Sequence, residues 1–391
     1  MPRLAIALAT LLIPALPAQA GQIRVPTDQP TLAAALAAAA PNDVILVQTQ
    51  VPQGNVSITK PITILGDPLL RIEANTIGCI SQPLVRLAGP GSGSVTITNA
   101  KFSSNFDCFD PPTPIGGSGF ASLFLYEVEI PEPLSGATGL GNGVEGLKTT
   151  GIPFVALERC NIRSAQNDVD ICSFSQAIQL GQVNHAAVDI GSGALLVLDS
   201  TLRGGNGGYL CSEFASNCPF GVATAGGEGA SAVKAGSVYQ ANSTLQSGTG
   251  SIYLAWPGSA GSGTPLNCFN YGSYPAVIAG TNATLPGTIE AVGDPKPGAT
   301  WLLSFTLPSG ASYALFSFGP GAPIAVPGLG TAFLNPATFM SLGILSPGGG
   351  FGIKNYSIPN DTGLLGLQMV LQPLSVTQGL LRPVAAVIVP Q

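Results

Sequence analysis

Apolar residues recur along this chain in two rhythms, one of them brief. Between Val25 and Val47, Leu32, Ala35, Leu36 and Ala39 fall at i, i+3, i+4 and i+7. That period predicts a helix over Pro30–Ala40. Thr27 and Asp28 are expected at its start, and Pro41-Asn42-Asp43 stop it. "VILV", Val44–Val47, then reads as a buried strand, and Val56, Ile58, Ile62 and Ile64 continue in strand rhythm around Pro61.

The second rhythm repeats. Five octads share one pattern: Val95–Phe102, Leu123–Ile130, Val155–Ile162, Leu195–Leu202 and Val238–Leu245. Each opens on Val or Leu, closes on a large apolar residue and carries a mostly small residue two places before the end. Columns one and three alternate inward as one strand, and columns six and eight as the next. A bend at column five, occupied by Asn99, Glu127, Arg159, Asp199 and Asn242, accounts for the change of parity. Asn and Asp tolerate the left-handed backbone such a bend needs. Stacking would set Glu127, Arg159 and Asp199 in an outward charge ladder. At roughly 4.8 Å per level, six to eight levels would form a rod roughly 30–40 Å long.

After "GDPKPG", Gly293–Gly298, the rhythm changes again. Short apolar runs divided by Pro and Gly, among them "WLLSFTL", "YALFSFG" and "GLQMVLQPL", predict a small β-sandwich over 299–391. In the last run Leu365, Leu367, Met369 and Leu371 take one face, and Gln368 and Gln372 the other.

The opening order, "PTLAAALAAAAPNDVILV" followed by "GNVSITKPITILGD", resembles the entry to a right-handed parallel β-helix of the pectin-lyase-like kind. A short apolar helix there covers the open end of the stacked strands. The expected fold is therefore all-β: a right-handed parallel β-helix over 21–295 with an N-terminal capping helix, followed by the C-terminal β-sandwich. "SIPNDTGLLGLQMVLQPL" (Ser357–Leu374) is similar to a terminal module of large exported bacterial proteins, which implies surface attachment or recognition by an export system.

Composition narrows the function classes. Residues 1–20, with Arg3, an apolar stretch Leu4–Leu16 and Ala18-Gln19-Ala20, read as a secretory signal peptide. The expected location is extracellular or on a bacterial cell surface, with no membrane insertion. Only 9% of residues are charged and the net charge is -6, which argues against nucleic acid as partner. A surface of Ser, Thr, Asn, Gln and Gly suits polysaccharide or a cell-surface glycan better. Seven cysteines follow the signal, and export would permit disulfides. Cys211 with Cys218, Cys79 with Cys108 and Cys160 with Cys172 are candidate pairs, and Cys268 is left over. Metal binding is not expected, because no C-x-x-C occurs and the chain has one histidine.

The β-helix resemblance implies polysaccharide lyases and glycoside hydrolases among the relatives, which need convergent carboxylates and a base. The cluster that best meets this demand is Glu158, Arg163, Asp168 and Asp170. Asp168 and Asp170, two apart, would share a strand face, where they could hold Ca²⁺ or act as acid and base, with Arg163 facing a uronate. Glu127, Glu129 and Glu132 form a second acidic run, and His185 lies near Asp189 with no nucleophile elbow. For binding, Tyr253, Trp256, Phe269, Tyr271 and Tyr274 cluster in one Gly/Ser-rich stretch and could stack on sugars. The scarcity of charge and the lack of an enzyme signature favour a non-catalytic scaffold without cofactor. A divergent enzyme on acidic glycans, with Ca²⁺ as its cofactor, is the alternative.

Overall fold

The computed structural model describes residues 21–73, 82–103, 105–106, 113–131, 134–135, 144–164, 185–206, 229–250, 252–254, 268–270 and 273–391. The signal segment expected at 1–20 lies outside them.

Column five decides the architecture. Asn99, Glu127, Arg159, Asp199 and Asn242 all have φ between 47° and 55°, so the chain turns a corner there on each of these five levels. Before the corner, the octads pair in parallel and in register: Val95, Leu123, Val155, Leu195 and Val238 stand one above another. Beyond it, Ile130, Ile162, Leu202 and Leu245 do the same. A third run of parallel pairing, unread in the sequence, joins Val56–Ile58, Val85–Ala88, Ile115–Ser118, Leu147–Thr149 and Val188–Asp189 to the opening of Val233–Ala241 and of Val277–Thr284. We call these runs face 2, face 3 and face 1 respectively. They make one 17-stranded parallel sheet coiled as a solenoid. Face 2 has nine levels, through Gln22, Val44, Thr63, Thr96, Phe124, Ala156, Leu196, Tyr239 and Ala283. The stack is thus about 38 Å long at the usual strand spacing.

The small residue after the bend has a chemical task. Turning the corner takes backbone groups out of the ladder, and side chains in this column answer for them. Ser200 Oγ accepts from the Cys160 N–H at 2.9 Å and donates to the Leu198 carbonyl at 2.7 Å. One level on, Ser243 Oγ accepts from the Ser200 N–H and donates to the Ala241 carbonyl. Cys160 occupies the same column. It is a free, buried thiol whose Sγ donates to the carbonyls of Leu125 and Glu158, at 3.3 and 3.4 Å. The expected Cys160–Cys172 disulfide is therefore corrected: a thiol pointing into the solenoid core has no outward path to a partner. Burial pushes its pKa up to about 12, which leaves it unreactive. Cys79, Cys108, Cys172, Cys211 and Cys218 lie outside the described residues.

At the N-terminal end the helix runs Leu32–Ala38, seven residues, shorter than expected. Thr31 is its N-cap, accepting from the Ala34 N–H, whereas the Asp28 carboxylate instead accepts from the Arg24 N–H. Leu32, Ala35 and Leu36 are buried in the same apolar cluster as Val25, Ile45 and Ile58.

From Thr288 onward pairing is antiparallel. Thr300–Leu307 lies between Thr288–Val292 and Gly350–Ser357. Ser312–Phe318 lies between Met340–Ser346 and Gln368–Ser375, which also pairs with Val384–Val387. Pro320–Val326 and Gly330–Leu334 make a hairpin. Gln372, fully buried, clamps these pieces: its carbonyl accepts from Phe333 N–H, and its amide donates to Thr331 and Leu381.

These strands pack on the outer side of face 2. Phe124, Tyr126, Phe154, Ala156, Leu196 and Leu198 share one apolar cluster with Trp301, Leu303, Phe316, Val370 and Val384–Ile388. The middle levels of face 2 are consequently buried on both sides; Phe154–Glu158 has no exposed residue. Gln368 donates to Thr96 Oγ1 across this seam. The segment Gly293–Gly298 is tied down as well, since Pro295 accepts from the Val389 N–H and Asp294 binds Arg159 at 3.1 Å.

Candidate functional site

Beyond the N-terminal helix, the long connections leave the solenoid between the same two faces. The chain passes from face 3 to face 1 through residues 74–84, 104–114, 131–146, 164–187, 204–232 and 247–276. The corners between faces 1 and 2 and between faces 2 and 3 are short. Solenoid register thus brings the ends of these scattered insertions together along one edge of the rod.

Face 1 borders that edge. Its outward column is Ser57, Arg86, Gly116, Lys148, Asp189, Lys234 and Ile278. Arg86, Lys148 and Lys234 are two levels apart, about 10 Å. Gly116 has no side chain because Pro83 and the Lys148 carbonyl fill that space, which leaves a gap between the first two cations.

At the foot of the loops stands a polar cluster. Glu145 is 6% exposed, and its Oε1 accepts from Lys148 Nζ at 2.8 Å and lies 3.2 Å from His185 Nδ1. The His185 carbonyl in turn accepts from Ser164 Oγ at 2.6 Å, which ties the start of face 1 to the end of face 3. Burial alone would raise the Glu145 pKa, but the hydrogen bonds from His185 and Lys148 outweigh it and hold the carboxyl at about 2. A carboxylate of that pKa is a poor proton acceptor near neutral pH. The cluster is suited to fixing charges and orienting donors.

The sequence candidates are dispersed. Glu158 is 1% exposed, and its Oε2 accepts from the Ala385 N–H at 2.9 Å; it faces the C-terminal strands, with no groove in front of it. Arg163 lies on face 3 beside Arg203, on the other side of the Arg159 bend from Glu158. Asp168 and Asp170 lie outside the described residues, so the two described members of that quartet do not converge. Glu127 sits on the bend with Arg159, at 3.0 Å, while Glu129 pairs with Lys101 on face 3. The charge ladder is broken at its third rung, because Asp199 is taken by Arg382 and Asn242. His185 meets Glu145, not Asp189. Among the aromatics, Tyr253 and Phe269 are register partners in an antiparallel ribbon of Ile252–Leu254 with Cys268–Asn270. Tyr274 is 48% exposed. Trp256 and Tyr271 lie outside the described residues. Among the described residues no three His, Cys, Asp or Glu converge as a metal site.

No protein-family model, curated protein or solved structure matches the chain. Glu145 and Lys148 went unread, although "GVEGLKTT" places them three apart. Face 2's outer contact had a signal too, in unbroken apolar runs such as "FVAL" and "LLVL" where a one-sided strand would alternate.

Proposed function

We propose that the chain is an exported, non-catalytic surface protein that contacts polysaccharide along face 1 and the edge of the rod beside it, where the long insertions begin and end. The observation that carries this reading is that six successive connections between face 3 and face 1 start and end along one edge of the rod. A track with insertions of different lengths anchored along one edge suits a ligand that is itself long and repetitive. Two further features support it. The Tyr253–Phe269 ribbon and the exposed Tyr274 supply aromatic residues to one of these connections. The cations of face 1 recur at every second level, where an extended chain bearing acidic groups could meet them.

Binding of the protein spanning 21–391 to an array of neutral and acidic glycans tests the reading. Retention on an acidic glycan, weakened at least tenfold by Tyr274→Ala or by Arg86→Ala with Lys234→Ala, is expected. Absence of binding to every glycan by a folded sample would refute it. Edman sequencing of the secreted product, expected to begin at Gly21, tests export.

One observation favours the alternative of a divergent lyase or hydrolase: Glu145, Lys148 and His185 meet beside the loops. Unsaturated or reducing products from acidic polysaccharides, with Ca²⁺ added, would establish it if His185→Ala abolished them. No cofactor belongs to the binding reading.

A further inference from the structure

The seam between face 2 and the C-terminal strands contains a carboxyl with no route to water. Glu158 is 1% exposed. Its Oε2 has the Ala385 N–H at 2.9 Å, and its Oε1 has no partner. The charges around it are already engaged. Arg382, reaching in from the C-terminal strands and 1% exposed itself, is bound to Asp199 on the next level, and its Nε is unpartnered. Arg159, the following residue, spends its guanidinium on Glu127, Asp294, Tyr126 Oη and the Ala291 carbonyl. Tyr126, one level below, donates to Asp294.

A neutral carboxyl can leave one oxygen unpaired at modest cost, whereas a buried carboxylate with one N–H partner cannot. We propose that Glu158 is a proton-operated latch: its neutral carboxyl seals the strand Val384–Val387 onto face 2, and its ionisation loosens that strand. Burial, the largest influence, raises the Glu158 pKa to about 8, with the neighbouring Asp199 pushing the same way and Arg159, Ala385 and Arg382 opposing. In an opened state the carboxyl would return to its ordinary value near 4.5. The sign follows from linkage. The closed form holds one more proton than the open form between those two values, so closure is strongest in acid and is lost as pH rises through about 8. Within that window each pH unit changes the opening equilibrium about tenfold. Loosening the latch would uncover Phe154, Leu196 and Leu198, an apolar stripe the closed form hides.

Hydrogen exchange of the intact chain, read by mass spectrometry as protection factors, tests this. For residues 384–388 protection is expected to fall about 50-fold from pH 6 to pH 8 and to level off above. Glu158→Gln, which keeps the shape and cannot ionise, should make it independent of pH. Should that variant not fold, Glu158→Met serves the same comparison. Flat protection in the unmodified protein, or an unchanged pH response in a folded variant, would overturn the proposal.

Discussion

Leu195 and Leu196 are neighbours on one strand of face 2 and point to opposite sides of the sheet. Leu195 is stacked between Val155 and Val238 inside the solenoid; Leu196 lies between Ala156 and Tyr239 under the C-terminal strands. They are 0% and 1% exposed. On a one-sided strand, truncating the outward residue would cost under about 1 kcal/mol, whereas here both positions are core. Leu→Ala removes about 2.4 kcal/mol of transfer free energy for three carbon groups. A residual cavity brings the total to about 3–4 kcal/mol at each site. Urea unfolding of the two single variants, followed by far-UV circular dichroism and by tryptophan fluorescence, measures this. Trp301, 2% exposed in the C-terminal core, reports on the second unit. Leu196→Ala should shift the fluorescence transition as strongly as Leu195→Ala shifts the dichroism. If Leu196→Ala stays within about 0.5 kcal/mol of the parent while Leu195→Ala costs about 3, the packing of the C-terminal strands on face 2 is refuted.

Three other outcomes follow from the same geometry. Asn242→Val forces a β-branched residue to φ 48° and removes the 2.6 Å bond to Asp199, so a loss of about 2 kcal/mol is expected in urea unfolding, against about 1 kcal/mol for Asn242→Gly, which removes the bond but relieves the backbone. Because Glu145 is held at about 2, below its ordinary 4.5, it contributes stability at pH above 4.5 that is lost as pH falls toward 2. That contribution is on the order of 2 kcal/mol given the half-exposed Lys148, and Glu145→Gln should flatten the acid limb of a melting-temperature profile. Gly366 has φ +78°, and a Cβ there would lie 2.9 Å from Val44 Cγ2, so Gly366→Ala should lower the melting temperature by several degrees, about 1–3 kcal/mol.

How much of this was readable depended on how locally each feature is encoded. The bend was legible because one residue per level must accept a left-handed conformation and the column after it must be small, and both marks survive in the octads. Glu127 and Arg159 look out of place there until Tyr126 and Asp294 are seen to hold Arg159. Face 1 was legible only at Val56 and Ile58: its later strands are as short as Val188–Asp189, and from Val85 onward a long insertion precedes each one. Glu158 and Arg163 looked like a pair because they are five residues apart, yet the turn at Arg159 sends them to different faces. Counting cysteines suggested a partner for Cys160, whereas its column assigned it the role that Ser200 and Ser243 play on later levels. The Glu145–His185 contact joins positions forty residues apart, and only the stacking of successive coils brings them together.

The connections at the loop-bearing corner lengthen along the rod, from 74–84 at one end to 247–276 at the other. Closing a longer loop costs only logarithmically more entropy, so such growth is cheap where the anchoring strands are already held from above and below. Variation can accumulate there without altering a single rung, and a segment exchanged at one level need not be re-fitted to its neighbours. Descendants of this chain can thus diverge in what they recognise while inheriting an unchanged backbone, as interchangeable tools are mounted on a common rail.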